Sequence, residues 1–211
     1  MKLNELKKLS KKELAERFPF LQMRDYHGNL AFDDETGEPI LEGGVHDWGW
    51  NDIILCWAEK VKPIYEKMPK DARDQFYVSQ LKEKYGDMRL YLSCYPTGPF
   101  EKISEYTTMV EHLSTFTCIN CGHISKSSDG KKLFAWSTKG GWITITCKKC
   151  AKNVMFRSKY RNGRGKMSNK QVFNRLYGKI EGDWFARITR YARVGNETYK
   201  YDCRELFEGM F

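Results

Sequence analysis

Two pairs of cysteines have the types and spacing to do chemistry: Cys118-Ile119-Asn120-Cys121-Gly122 and Cys147-Lys148-Lys149-Cys150-Ala151. Two residues between cysteines let one tight turn aim both sulfurs at a single ion while backbone amides bond to the thiolates, and Zn²⁺ takes four such ligands in a tetrahedron. Gly122 is free to adopt the left-handed conformation that commonly follows the second cysteine. The 25 residues between the pairs exceed the roughly 15–20 of common four-cysteine sites, and a longer hairpin absorbs the excess. The expectation is one structural Zn²⁺ in a zinc ribbon held by Cys118, Cys121, Cys147 and Cys150. Four sulfurs close the shell to water, so the ion braces and does not react. His123 adjoins the first pair but is read as a non-ligand, because adjacent residues rarely both reach one ion. Cys56 and Cys94 in apolar segments, and Cys203 in an expected strand, are read as small core residues.

The second chemical signal is charge. Between Gly130 and Ile180 there are 14 Lys or Arg and no Asp or Glu, which leaves 22 basic and 27 acidic side chains elsewhere; the net charge of +9 therefore belongs to one region. Part of it offsets the negative charge of four thiolates on one divalent ion. The cations are interleaved with Trp136, Trp142, Phe156, Tyr160, Phe173 and Tyr177, which supplies charge for phosphates and flat rings for unpaired bases. The residues expected to contact nucleic acid or another partner are Lys148, Lys149, Lys152, Arg157, Lys159, Tyr160, Arg161, Arg164, Lys166, Lys170 and Arg175. Glycine-spaced cations from Lys159 to Lys166 are the strongest part, since they let backbone approach a phosphate. Solvated lysines around the ribbon, or an acidic protein surface, suit the same residues.

A catalytic reading finds less. His46 and Asp47, the Asp33-Asp34-Glu35 cluster, Glu83 and His112 are the available acids and bases, and none falls in a recognised motif such as H-E-x-x-H or a phosphate-binding glycine loop. The acidic cluster reads as a solvated turn and His112 as a satisfied, partly buried helix residue. The expectation is a non-enzymatic protein, with an enzyme of unrecognised site as the lesser alternative.

The elements that must position these residues follow from periodicity. Leu3 to Arg17 reads as a short helix with Ser10 and Glu13 as a capping box. Leu21 to His46 reads as loop with short strands. A helix from Asn51 has a buried face through Tyr65, capped by Asn51 or Asp52 and strained or ended near Pro63. Pro69 to Tyr85 reads as a further helix closed by Gly86, followed by a strand from Met88 to Tyr95. Ile103, Tyr106, Met109, Val110 and Leu113 mark an amphipathic helix that leads into Cys118. Leu133 to Ser137 and Trp142 to Thr146 read as strands of a hairpin between the cysteine pairs, and Ala151 to Lys170 reads as an exposed basic loop or arm. Ser168 caps a helix to Tyr177, and Ile188 to Val194 pairs with Glu197 to Cys203 across Gly195-Asn196.

No apolar stretch approaches the roughly 20 residues of a membrane helix, and the N-terminal residues carry no apolar signal core. Cytoplasmic residence with reduced cysteines is expected. With 211 residues, the fold class expected is α+β: a helical N-terminal part with a short antiparallel sheet over 1–116, a four-cysteine zinc ribbon over 117–151, and a basic C-terminal extension over 152–211.

The block Gln80-Leu81-Lys82-Glu83-Lys84-Tyr85-Gly86-Asp87-Met88-Arg89-Leu90-Tyr91 resembles a family of uncharacterised phage and prophage proteins, in which a Q-x-K-E-K-[FY]-G-x-[LM]-R-x-Y run precedes a two-knuckle zinc site. Arg17-Phe18-Pro19-Phe20-Leu21 and Gly49-Trp50 upstream, and Thr117 to Gly122 with Gly141 to Cys150 downstream, resemble further family positions, so the likeness spans about residues 17 to 150. It implies a phage context, hence the host cytoplasm, and a fold unit without an agreed activity. Physically, Lys82, Glu83, Lys84 and Arg89 read as an ion-pair network at a helix-to-strand corner, or as a binding surface. The functional expectation is a phage accessory protein that binds nucleic acid or a host nucleoprotein complex through its basic face. An inhibitor of anti-CRISPR type, docking on a host nuclease or defence protein, is the alternative.

Overall fold

In the computed structural model, residues 1–42, 49–94, 98–157, 168–192 and 195–211 are described. Their elements are α1 Leu3–Leu6, α2 Lys11–Arg17, α3 Asn51–Tyr65, α4 Lys70–Gln75, β1 Val78–Lys84, β2 Asp87–Leu92, α5 Lys102–Ser114, β3 Ser125–Lys126, β4 Lys132–Thr138, β5 Ile145–Thr146, α6 Lys148–Arg157, α7 Asn169–Leu176, β6 Tyr177–Asp183, β7 Phe185–Ala192 and β8 Gly195–Asp202. Mixed helix with short antiparallel sheets is the α+β class expected.

Helix α3 is the spine of the main core. Ile53, Ile54, Leu55, Trp57, Ala58 and Val61 are buried on it, and they meet Phe18, Phe20, Phe76, Met109, Val110 and Leu113 from the surrounding elements. Its capping differs from expectation: Trp50 occupies the N-cap and its side chain does not cap the helix, and Asp52 instead pairs with Lys7 of the N-terminal segment. The N-terminal stretch is two helices, because Ser10 accepts from the Glu13 amide and Glu13 reaches back to the Ser10 amide, starting α2 afresh. Arg17 then ties α2 to α3 through Glu59 at 2.6 Å.

The helix expected from Pro69 to Tyr85 is corrected: it ends at Gln75, and residues 78–84 form a strand. A register shift between Val78 and Gln80 turns both Val78 and Leu81 inward, so their spacing of three imitates a helical period. Strands β1 and β2 pair with Lys84 opposite Asp87, which leaves Tyr85 and Gly86 as a two-residue turn with φ of 56° and 87°. Positive φ at both positions is the type I′ geometry that matches strand twist. The block from Gln80 to Tyr91 is therefore a hairpin and not a helix-to-strand corner. Two carboxylates dock it: buried Glu42 accepts from the Leu81 amide at 2.8 Å and half-buried Glu111 from the Leu90 amide at 2.9 Å. Burial pushes both carboxyls above the usual range, and the amide bonds only partly offset it.

Strand β4 is the centre of the second sheet. Along one edge it pairs with β3 and then β5; along the other it pairs over its full length with β6, from Lys132 opposite Asp183 to Thr138 opposite Tyr177. The strand after Leu176 thus joins the cysteine-bearing segment, and Gly182 brings β6 against the Phe116 ring. Residues beyond it return to the main core through Trp184, Ala186, Cys203, Leu206 and Met210. Two further expectations change here. Residues 151–157 are not part of a loop but continue α6, and Ala192 faces Gly195 in the β7–β8 register, so Gly195 and Asn196 are strand residues. No helix among the described residues is long and apolar enough to cross a membrane.

Candidate functional site

The first cysteine turn is delivered by α5 and clamped from two sides. Trp50 Nε1 donates to the Thr117 carbonyl at 3.1 Å, Gly49 N donates to Ile119 O at 2.7 Å, and Ile119 N donates to Ile145 O of β5 at 3.0 Å. Within the turn, Cys118 O accepts from Gly122 N at 2.8 Å, and Gly122 has φ of 70°, the left-handed conformation expected of it. The second turn follows β5 directly. Cys147 Sγ accepts from Cys150 N at 3.4 Å, Cys147 O accepts from Ala151 N at 3.0 Å, and the chain continues without a break into α6.

These turns bring the Sγ atoms of Cys118, Cys121, Cys147 and Cys150 within 4.8 Å of one another. Cys121 and Cys147 sulfurs stand 3.8 Å apart, far beyond a disulfide bond and equal to the edge, about 3.8 Å, of a tetrahedron with metal–sulfur distances near 2.3 Å. The donor set thus fits a tetrahedral thiophilic ion. Burial raises the thiols of Cys118 and Cys150; at Cys147 burial acts the same way but hydrogen bonds from Cys150 outweigh it and lower the thiol. Cys121 is exposed, so one corner of the cluster faces solvent. His123 is exposed and outside the cluster.

Cys56 and Cys203 are fully buried, with thiols pushed up to about 12 by burial, in keeping with core packing; Cys94 is half-buried. Asp33 is committed to its own turn, accepting from the Glu35 and Thr36 amides. Glu83 accepts from the Gly86 amide in the hairpin turn, and His112 Nε2 donates to the Asp183 carbonyl at 2.9 Å. His46 and Asp47 lie outside the described residues. Around the hairpin, Arg89 meets Asp87 at 3.4 Å, Lys82 lies over Tyr91 and Lys84 over Tyr85, so the charged block serves its own turn more than a four-member network.

The expected basic residues divide. Lys148 and Lys152 of α6 and Lys170 of α7 line one cleft of about 580 Å³, together with Trp136, Asn169, Phe173, Asn174 and Lys179. A small second core, Ala151, Phe173 and Tyr177 with Trp136, Val172 and Leu176 against it, forms the floor. Ser168 starts α7 with a capping box, as its sequence suggests, and Lys139 donates to the Asn174 carbonyl, fixing the β4–β5 turn to α7. Lys149 and Arg175 are exposed but do not line the cleft. Arg157 closes α6, and Lys159, Tyr160, Arg161, Arg164 and Lys166 lie outside the described residues. Asn169 and Asn174 were not singled out by sequence; the signal was their spacing of four from Phe173 and Lys170, which puts all four on neighbouring helix positions.

Lys179 is paired with Glu181 on its own strand, whereas Lys148, Lys152 and Lys170 meet no carboxylate among the described residues. None is near in sequence, since no Asp or Glu occurs between Gly130 and Ile180. No protein-family profile, curated protein or solved structure matches this chain.

Proposed function

We propose that this is a non-enzymatic zinc-ribbon protein that binds nucleic acid, free or in a nucleoprotein complex, through the basic cleft and the basic residues that follow α6 in sequence. One observation carries the reading: three lysines without acidic partners among the described residues line a concave surface that also holds an indole and a phenyl ring. An excess of unpaired cations at one place is what a polyphosphate neutralises on binding, and the released counterions provide a sequence-independent driving force. The four-sulfur cluster supports a closed structural role for Zn²⁺, since α6 grows out of its second turn and carries Lys148 and Lys152 to the cleft. Lys159, Arg161, Arg164 and Lys166 add cations next in sequence. The phage context and the host cytoplasm belong to this proposal through the resemblance of the Gln80–Tyr91 block.

Binding of a labelled oligonucleotide, followed by anisotropy across a salt series, tests it. Affinity should fall steeply with salt, and replacing Lys148, Lys152 and Lys170 by Ala should reduce the logarithmic salt slope by about 1 per lysine. No binding at low salt, or a slope unchanged in the triple variant, overturns the reading and leaves the cleft to an acidic protein partner.

A further inference from the structure

We infer that the cleft admits one unpaired nucleotide, so that the protein engages single-stranded nucleic acid in preference to a duplex; this rests on the nucleic-acid reading above. The first argument is shape. A concavity of about 580 Å³ lies within the range of pockets, roughly 300–1,000 Å³, that enclose small organic ligands. Duplex grooves are read by elements that protrude into them, such as a helix or a two-stranded ribbon, and a recess offers nothing to insert.

The second argument is the lining. Trp136 is half-buried, held edge-on by Phe134 at 5.5 Å, and Phe173 is backed by Tyr177 stacked at 5.2 Å and 27°. Trp136, already fixed by its neighbours, is an aromatic platform that loses little side-chain freedom when a base settles on it, and the buried Phe173 belongs to the small core against which it packs. In a duplex every base face is covered by the next pair, so only an unpaired base can use such a platform unless several kilocalories are spent on extrusion. Lys148 Nζ lies over the Trp136 ring, 5.9 Å from its centroid, so this flexible cation swings aside as a base settles on the indole and stays within reach of the adjoining phosphate.

The third argument is polarity at the rim. The side-chain amides of Asn169 and Asn174 are exposed and have no hydrogen-bond partner among the described residues. Each offers both a donor and an acceptor, the complement of a free base edge. Charge alone would need neither ring nor amide.

The test compares the full chain with Trp136→Leu and with Asn169→Ala/Asn174→Ala. Leucine keeps apolar packing on the small core while removing the π face, and circular dichroism with metal content confirms that each variant is folded. A single strand of about 12 nucleotides and the matching duplex are titrated at one salt concentration. The single strand should bind at least about 10-fold more tightly, and Trp136→Leu should weaken it about 5- to 100-fold while leaving duplex affinity and the salt slope unchanged. The double Asn variant should weaken the single strand and flatten any difference between homopolymers. Equal affinity for strand and duplex, or equal losses for both in Trp136→Leu, overturns the inference and leaves the electrostatic reading intact. Binding of neither form at low salt overturns both.

Discussion

Gly49 lies against Cys118 so closely that a methyl group on its Cα would fall 2.3 Å from the Cys118 carbonyl oxygen and 2.6 Å from that of Ile119. With Gly49 N bonded to Ile119 O, the segment before α3 is the outer wall of the first cysteine turn. Gly49→Ala must push backbone against backbone, so a loss of about 1–3 kcal/mol is expected, together with roughly 10-fold weaker metal binding through the displaced turn. Thermal unfolding and competition with a chromogenic chelator measure the two. Native values in both would mean that the wall does not support the turn.

The metal itself should be present at about one Zn²⁺ per folded chain, fixed by four thiolates. Cys147→Ser removes a ligand and the thiol that accepts from the Cys150 amide near the start of α6. Metal content should drop to near zero, and oligonucleotide affinity should fall with it because Lys148 and Lys152 lose their anchor. A variant that keeps the cleft's affinity without metal would separate the two sites. Acid should have the same effect as chelation, since each ligand binds the ion only as thiolate.

Gly182 of β6 has no room for a side chain: a Cβ would sit 2.2 Å from the Phe116 ring. Gly182→Ala is expected to cost about 1–3 kcal/mol, and Phe116→Leu in the same chain should restore part of that loss. A denaturant titration of the two single variants and the double variant measures the coupling. Additive losses would show that the ring moves freely aside.

Tyr85 is the one non-glycine residue of positive φ among the described residues, and it is 73% exposed. Asn tolerates that conformation better, so Tyr85→Asn should raise stability by about 0.5–1 kcal/mol in spite of removing an aromatic ring. A lower melting temperature would indicate that the ring's contact with Lys84 outweighs the strain.

Glu59 bridges to Arg17 with little solvent access. Burial alone would raise its carboxyl, but hydrogen bonds from Arg17 and the terminal ammonium, with their charges, carry it below the ordinary value of 4.5. A carboxylate held lower in the folded than in the unfolded state stabilises above the unfolded value, and that contribution is lost as pH falls through and below it. Glu59→Gln should cost about 1–2 kcal/mol at neutral pH and much less in acid. Parallel stability profiles from pH 7 to about 3 would exclude the linkage.

Local signals in the sequence were dependable where one turn contains the whole device. The C-x2-C pairs specify knuckles within four residues, and Ser10 with Glu13 and Ser168 with Gln171 specify helix starts within the same distance. Strand β1 was illegible for a physical reason: its bulge gives Val78 and Leu81 a helix-like spacing. Strand β6, with glycines at 178 and 182, has little strand propensity of its own and is extended because β4 offers it a full ladder. The cleft was legible in composition only, because Trp136, Lys148 and Lys170 come together through packing of β4, α6 and α7.

The pairing of β4 with β6 bears on how the molecule can be taken apart. All four sulfur ligands lie before residue 151, yet a fragment cut there would leave β4 with an unpaired edge seven residues long. Such a fragment could still bind a metal while exposing a sticky ladder. The cysteine unit is therefore not a portable cassette, and a graft of it into another protein has to carry β6 along.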